Sequence, residues 1–214
     1  MTASQPNTAT VEGRTTHNPV VTLFESYGSG AQRIGRLVAD ALGYPYHEQA
    51  FSSEQIEAGS RGENFGPLSR ALHAISGSFI GTEGGPAVAM TQRETYDLIR
   101  ENTETVLGYA EEGGVILGRN ATFILRDRPR TLHVKLDAPL ETLIARAAAS
   151  GISEKVAARR MRNEDQIRAD MSVNTYHWDP RKLDHYDLVL NTGQLDENTS
   201  AKIIVEALRV KSAG

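Results

Sequence analysis

The stretch Val20 to Gly43, VVTLFESYGSGAQRIGRLVADALG, constrains this chain more than any other because it reads strand, glycine loop, helix in direct succession. Val20, Val21, Leu23 and Phe24 make the short apolar run that a buried parallel strand needs, and Pro19 marks its start. Gly28, Ser29 and Gly30 break that run. From Ile34 the apolar positions fall at Ile34, Leu37, Val38, Ala41 and Leu42, which is one face of a helix, and Gly43 supplies the stop. Such a loop turns free backbone N–H groups toward one point at the positive end of the helix dipole, and that point suits a phosphate. The cradle would consist of Gly28, Ser29, Gly30, Ala31, Gln32 and Arg33.

Two phosphate motifs compete here, and neither is complete. Against G-x-x-x-x-G-K-[ST], the register that aligns Gly30 puts Glu25 at the first glycine and Ala31 at the lysine. Arg33, one turn into the helix, is placed to bring positive charge back to the phosphates, although a guanidinium is not a geometric copy of an ammonium. The dinucleotide fingerprint G-x-G-x-x-G has Arg33 where its third glycine belongs, while Glu48 lies near the distance of a ribose contact. A plain turn stays open as the third reading.

With 214 residues, 39% of them hydrophobic, the chain can bury one sizeable core and carry an inserted lid. A net charge of −4 argues against general binding to nucleic acid or to a membrane surface. The absence of cysteine excludes disulfides and thiolate metal sites and points to the cytoplasm. Residues 1–18 lack an apolar core of signal-peptide length and read as a disordered tail, no run approaches a membrane span, and residues 19–214 read as a single domain.

Farther along, Tyr44 to Glu48 fits a short second strand. Residues 49–112 are mainly helical in pattern, with a long helix from Ala87 to Glu112, and stand where a substrate-binding insert would sit. The apolar run Val115 to Leu117 delivers Gly118, Arg119 and Asn120, and ligands of open α/β sheets sit beyond the carboxyl ends of strands. A surface arginine beside a turn is the alternative. Thr131 to Leu136 is the next strand. Asp137 is placed to cap a following helix, Pro139 fits its first turn, and Leu140, Leu143, Ile144 and Ala147 fill one face. Ser153 caps another helix that carries Arg159, Arg160, Arg162 and Arg168. There the i, i+3 spacings of Arg162, Asp165 and Arg168 allow ordinary surface pairing, or else a lid, over about residues 153–183, whose arginines close on phosphates. Asp170 to Asp184 reads as irregular, Asp187 to Asn191 as the last strand, and Glu197 to Val210 as a closing amphipathic helix. The histidines at 47, 73, 133, 177 and 185 show no metal-ligand spacing, so no metal ligand is assigned. The expected architecture is a three-layer α/β fold with about five mostly parallel strands and the Val20–Phe24 strand at its centre.

Several of these segments resemble the cytidylate kinase-like family, a branch of the nucleoside monophosphate kinases, over roughly Val20 to Leu208. VTLFESYGSGAQRIG is similar to that branch's opening, which itself lacks the P-loop lysine. VILGRNATFIL is similar to its G-R segment, and HVKLDAPLETLIAR to its strand and helix ending in arginine. DQIR, WDP and YDLVLNT follow in order. The resemblance implies a P-loop kinase-like fold with a helical acceptor-binding insert and a lid, in which Gly28 to Arg33 hold the donor phosphates and Arg33 contributes to catalysis. It further implies that Arg119, with Asn120 beside it, holds the acceptor monophosphate, and that Arg168 of the D-x-x-R element meets the transferring phosphoryl group. Asn120 replaces the acidic residue of cytidylate kinases proper. Magnesium would arrive with ATP, and CMP or dCMP is the implied acceptor. Small-molecule nucleotides are thus the expected partners. A nucleotide-binding regulatory protein with little turnover is the alternative, favoured by the altered loop, and a nicotinamide-dependent oxidoreductase stands third.

Overall fold

The computed structural model describes residues 17–50 and 92–213. Of the tail expected over residues 1–18, residues 1–16 lie outside the described residues, as do the expectations for residues 51–91 of the insert, while Asn18 donates to the Glu111 carbonyl at 2.8 Å. Five strands appear: β1 Val20–Glu25, β2 Tyr46–His47, β3 Gly114–Leu117, β4 Thr131–Asp137 and β5 Leu188–Asn191. They form one sheet in the order β2-β3-β1-β4-β5, and every pairing is parallel. β1 is therefore central, as its apolar run implies. Its end holds the glycine loop over the middle of the sheet.

The helices are α1 Ala31–Leu42, α2 Gln92–Glu112, α3 Ala121–Ile124, α4 Leu140–Ala148, α5 Glu154–Tyr176 and α6 Glu197–Ala213. Because successive strand residues face opposite ways, β1 feeds two cores. Val21 and Leu23 pack with Ile34 and Val38 of α1 and with Ile204 and Leu208 of α6. Val20 packs with Ile116 of β3, Val106 and Ala110 of α2, and Ala121 and Leu125 of the α3 segment. Each fully buried aliphatic side chain in these layers contributes about 1.5–3 kcal/mol. The result is the three-layer α/β architecture.

Two elements differ from their sequence reading. Asp137 does not cap α4: it is the last residue of β4, paired with Asn191, and its carboxylate accepts the N–H of Ala138. Pro139, at φ −54° and ψ 140°, is itself the N-cap, so it precedes the first turn. The segment read as irregular from Asp170 is helical through Tyr176, where His177 at φ +54° closes α5. That last stretch has little apolar periodicity, yet Ala169 and Ser172 are buried and hold it against its neighbours. Ser153 does cap α5, its side chain accepting the N–H of Val156 at 3.4 Å.

The chain beyond α5 folds back as an aromatic layer. Trp178 meets Phe24 edge-on at 6.2 Å and stacks near Phe123 at 6.0 Å, with Tyr186 and His185 completing the group. Beside it, Thr22 Oγ1 lies 3.0 Å from Thr122 Oγ1 and 2.8 Å from His133 Nδ1. Burial pushes His133 down to about 4, against the opposing pull of Asp187, so its imidazole is neutral around pH 7. No described helix is long and apolar enough to cross a membrane.

Candidate active site

Gly28 and Gly30 both take positive φ, +87° and +85°, which glycine adopts at no steric cost. A Cβ on Gly28 would stand 2.5 Å from the carbonyl oxygen of Leu143, so the loop packs backbone to backbone against α4. Gly30 is the N-cap of α1, without a side-chain cap, and the first turn of α1 carries no acidic residue. Ser29 is buried and its N–H bonds back to Ser26. The positive end of α1 thus opens at the carboxyl end of the central strand.

Within the cradle the side chains diverge. Ala31 is buried at the lysine position, while Gln32 is exposed. Arg33 is exposed as well, and its guanidinium pairs with Glu197 at the start of α6. The loop is braced instead by Arg146 of α4, which donates to the Ser29 carbonyl at 3.4 Å and to Thr192 Oγ1 at 3.0 Å. This arginine closes the sequence segment HVKLDAPLETLIAR, but only the fold reveals what it touches.

Helix α5 reaches the loop at two points. Asp165 of α5 accepts the backbone N–H of Tyr27 at 2.9 Å. One turn on, Arg168 is 13% exposed, donates to Glu164 at 2.9 Å, and lies 3.9 Å from both Glu25 and Asp165. Its Nε and Nη1 are buried without a hydrogen-bond acceptor. Nη1 meets Glu25 and Asp165 only at ion-pair distance, so the guanidinium keeps hydrogen-bonding capacity beside the glycine loop. Burial raises the carboxyl of Glu25 above its ordinary range despite Arg168, and raises Asp165 to about 6 although the Tyr27 amide and Arg168 oppose it. Of the other lid residues, Arg159 and Arg162 are exposed and Arg160 is half-buried. The pairing of Arg162 with Asp165 that spacing allows gives way to the bond from Tyr27.

Arg119 stands beyond β3 at φ +56°, with Asn120, also at φ +56°, capping α3 by backbone alone. The Nε of Arg119 donates to the carbonyl of Glu48 at 2.8 Å, and its guanidinium lies 5.7 Å from the Tyr109 ring. Asn102 of α2 donates both to the Arg119 carbonyl and to the Tyr176 hydroxyl, at 2.8 Å each. Glu48, a ribose candidate on the dinucleotide reading, pairs with Arg36. The structure therefore gathers the loop, Asp165 and Arg168 in one place, sets Arg119 and Asn120 beyond the adjoining strand, and turns Arg33 aside. Sequence reasoning named Glu25 only as a departure from the motifs and passed over Glu164 and the contacts of Arg146. A charged residue ending an apolar strand just before the glycines was the available signal for Glu25.

Residues 20–194 match the cytidylate kinase-like family. The chain belongs to this family. A cytidylate kinase from Methanopyrus kandleri is 28% identical over 201 residues, which cover 88% of this chain and 92% of that protein. A uronate isomerase from Corynebacterium glutamicum is 37% identical over 110 residues, 51% of this chain but only 21% of that protein. This chain therefore spans a small fraction of the second relative's length. An uncharacterized protein from Eubacterium ventriosum has the same fold, with a TM-score of 0.64 at 18% identity over 90% of this chain and 99% of that one.

Proposed function

We propose that this protein transfers the γ-phosphoryl group of ATP to a nucleoside monophosphate, CMP or dCMP being the preferred acceptor. The observation that carries the reading is Arg168: a buried guanidinium with two uncommitted donors, fixed by α5 beside the phosphate loop. The P–O bond to ADP breaks as an oxygen of the acceptor phosphate attacks in line, so no nucleophilic side chain is required. The chain's work is positional. The Gly28–Arg33 backbone holds the donor phosphates, Arg119 and Asn120 hold the acceptor, the insert within residues 49–112 covers it, and Arg168 neutralises charge on the moving phosphoryl oxygens. Arg159, Arg160, Arg162 and Asp165 belong to the lid that docks on the loop.

The described residues contain no group of three or more His, Asp or Glu arranged to hold a metal. Asp165, a hard oxygen donor beside the loop, would hold a magnesium ion carried on the nucleotide. Such an ion would offset charge on the phosphates.

A nucleotide-binding regulator with little turnover is the second reading. It is favoured by Ala31 at the lysine position and by the three carboxylates around Arg168. Turnover and binding across ATP, GTP, CMP, dCMP, UMP and NAD, with magnesium present, separate the two. Phosphorylation of CMP or dCMP supports the kinase. Tight ATP binding without phosphorylation of any monophosphate supports the regulator.

A further inference from the structure

A phosphate-binding loop gains nothing from a carboxylate, yet Glu25 is buried at its entrance with a side chain only 10% exposed. The sheet does not need it: Glu25 pairs with Leu136 through the backbone, which any residue can do. Burying a carboxylate is costly unless charge or hydrogen bonds compensate, so the position of its partners shows what the residue serves. Glu25 Oε2 accepts from Ser29 Oγ at 3.4 Å, and Oε1 accepts from Gln49 Nε2 at 3.4 Å. Arg168 Nη1 faces Oε1 at 3.9 Å, and the Ala31 backbone also favours the charged form. One carboxylate thus joins the loop, the first residue of α1, the segment after β2 and the lid helix.

Charge at the loop makes the arrangement meaningful. Alanine fills the lysine position, Arg33 is engaged by Glu197, and Arg146 is committed to the Ser29 carbonyl and to Thr192. Arg168 is the cation there with donors to spare. It is tethered on its own helix by Glu164 at 2.9 Å and by Asp165 at 3.9 Å, while Glu25, also at 3.9 Å, draws it toward the end of β1. We propose that Glu25 is a positioning residue: its carboxylate steers the Arg168 guanidinium to the phosphate loop, where that guanidinium stands in for the lysine that this loop lacks. The proposal rests on the reading that Arg168 meets nucleotide phosphate. It adds a dependence of that contact on Glu25.

The test uses the full chain and the variants Glu25→Gln, Glu25→Asp, Arg168→Ala and the Glu25→Gln/Arg168→Ala double variant, with folding checked by thermal melting. Affinity for magnesium–ATP is measured by calorimetry and kcat with CMP by steady-state kinetics. Removing a negative charge beside a polyanion site should by simple repulsion tighten ATP binding. Positioning demands the opposite sign: Glu25→Gln should weaken ATP binding and lower kcat by about tenfold each, with the CMP KM unchanged. Glu25→Asp should recover part of the loss. On an Arg168→Ala background Glu25→Gln should add nothing, because the carboxylate acts through the guanidinium. Unchanged or tighter ATP binding in Glu25→Gln, or multiplicative losses in the double variant, would overturn the proposal. If the wild type phosphorylates no monophosphate, the kinase reading fails by itself, while the ATP-binding cycle still decides the role of Glu25. Should Glu25→Gln fail to fold, the affinity of Glu25→Asp with and without Arg168→Ala gives the same cycle.

Discussion

Asp165, in the middle of α5, accepts the backbone N–H of Tyr27, one residue before the first glycine of the phosphate loop. A carboxylate on α5 thereby ties that helix to the loop. The bond satisfies a loop amide at the cost of partly burying a charge, and burial raises the Asp165 pKa to about 6.

The sign of that shift fixes a pH dependence. A carboxyl whose folded pKa lies above its unfolded value binds its proton more tightly in the native state, so its contribution to stability falls as pH rises from about 4 through about 6. Asp165→Asn keeps an oxygen acceptor for Tyr27 and removes the titration. The melting temperature of the variant relative to wild type should rise between pH 4 and pH 7. A constant difference across that range would contradict the assignment.

Arg119 and Arg168 should fail in different ways. If Arg119 grips the acceptor in ground and transition states alike, Arg119→Ala raises the CMP KM and leaves kcat nearly unchanged. If Arg168 holds ATP in the ground state and tightens on the phosphoryl group in the transition state, Arg168→Ala weakens ATP binding and also lowers kcat by about 10³-fold. Steady-state kinetics with both substrates varied will show the separation, and matching defects would dissolve the two roles.

Gly28 and Gly30 share a positive φ but not a neighbourhood. Gly28→Ala drives a Cβ onto the Leu143 carbonyl at 2.5 Å, whereas at Gly30 the nearest atom is a flexible Glu197 carboxylate oxygen at 3.4 Å. In urea unfolding Gly28→Ala should cost well over about 1 kcal/mol and Gly30→Ala about 1 kcal/mol. Gly30→Val should abolish nucleotide binding in a folded protein, since the branched side chain obstructs the approach of backbone to phosphate.

Trp178 is 3% exposed, and its indole N–H has no hydrogen-bond partner. Trp178→Phe therefore loses area but no bond and should cost less than about 1.5 kcal/mol, against about 3–5 kcal/mol for Trp178→Ala. Denaturant melts followed by circular dichroism will rank the two.

The strand, loop and first helix were legible because each of their signals is local: an apolar run, glycines, then a helical stripe ended by Gly43. Arg119 was placed correctly beyond a strand end for the same reason. The orientation of Arg33 was not legible, since its register put it near the loop while Glu197, from the far end of the chain, decides where it points. Asp137 has the chemistry of a cap, yet its pairing with Asn191 keeps it in the sheet. Glu25 looked like a gap in a motif. Its meaning depends on Arg168, which only the fold brings near.

The central position of β1 also governs the order in which the chain can be assembled. β1 pairs with β3 and β4 but with no strand close to it in sequence, and Thr22 waits for Thr122, 100 residues away, to satisfy its hydroxyl. During synthesis the apolar Val20–Phe24 segment therefore emerges long before either partner strand exists. Such long-range closure is slow, and the end of β1 is fixed only when Leu136 offers its carbonyl to the Ser26 amide at 3.0 Å.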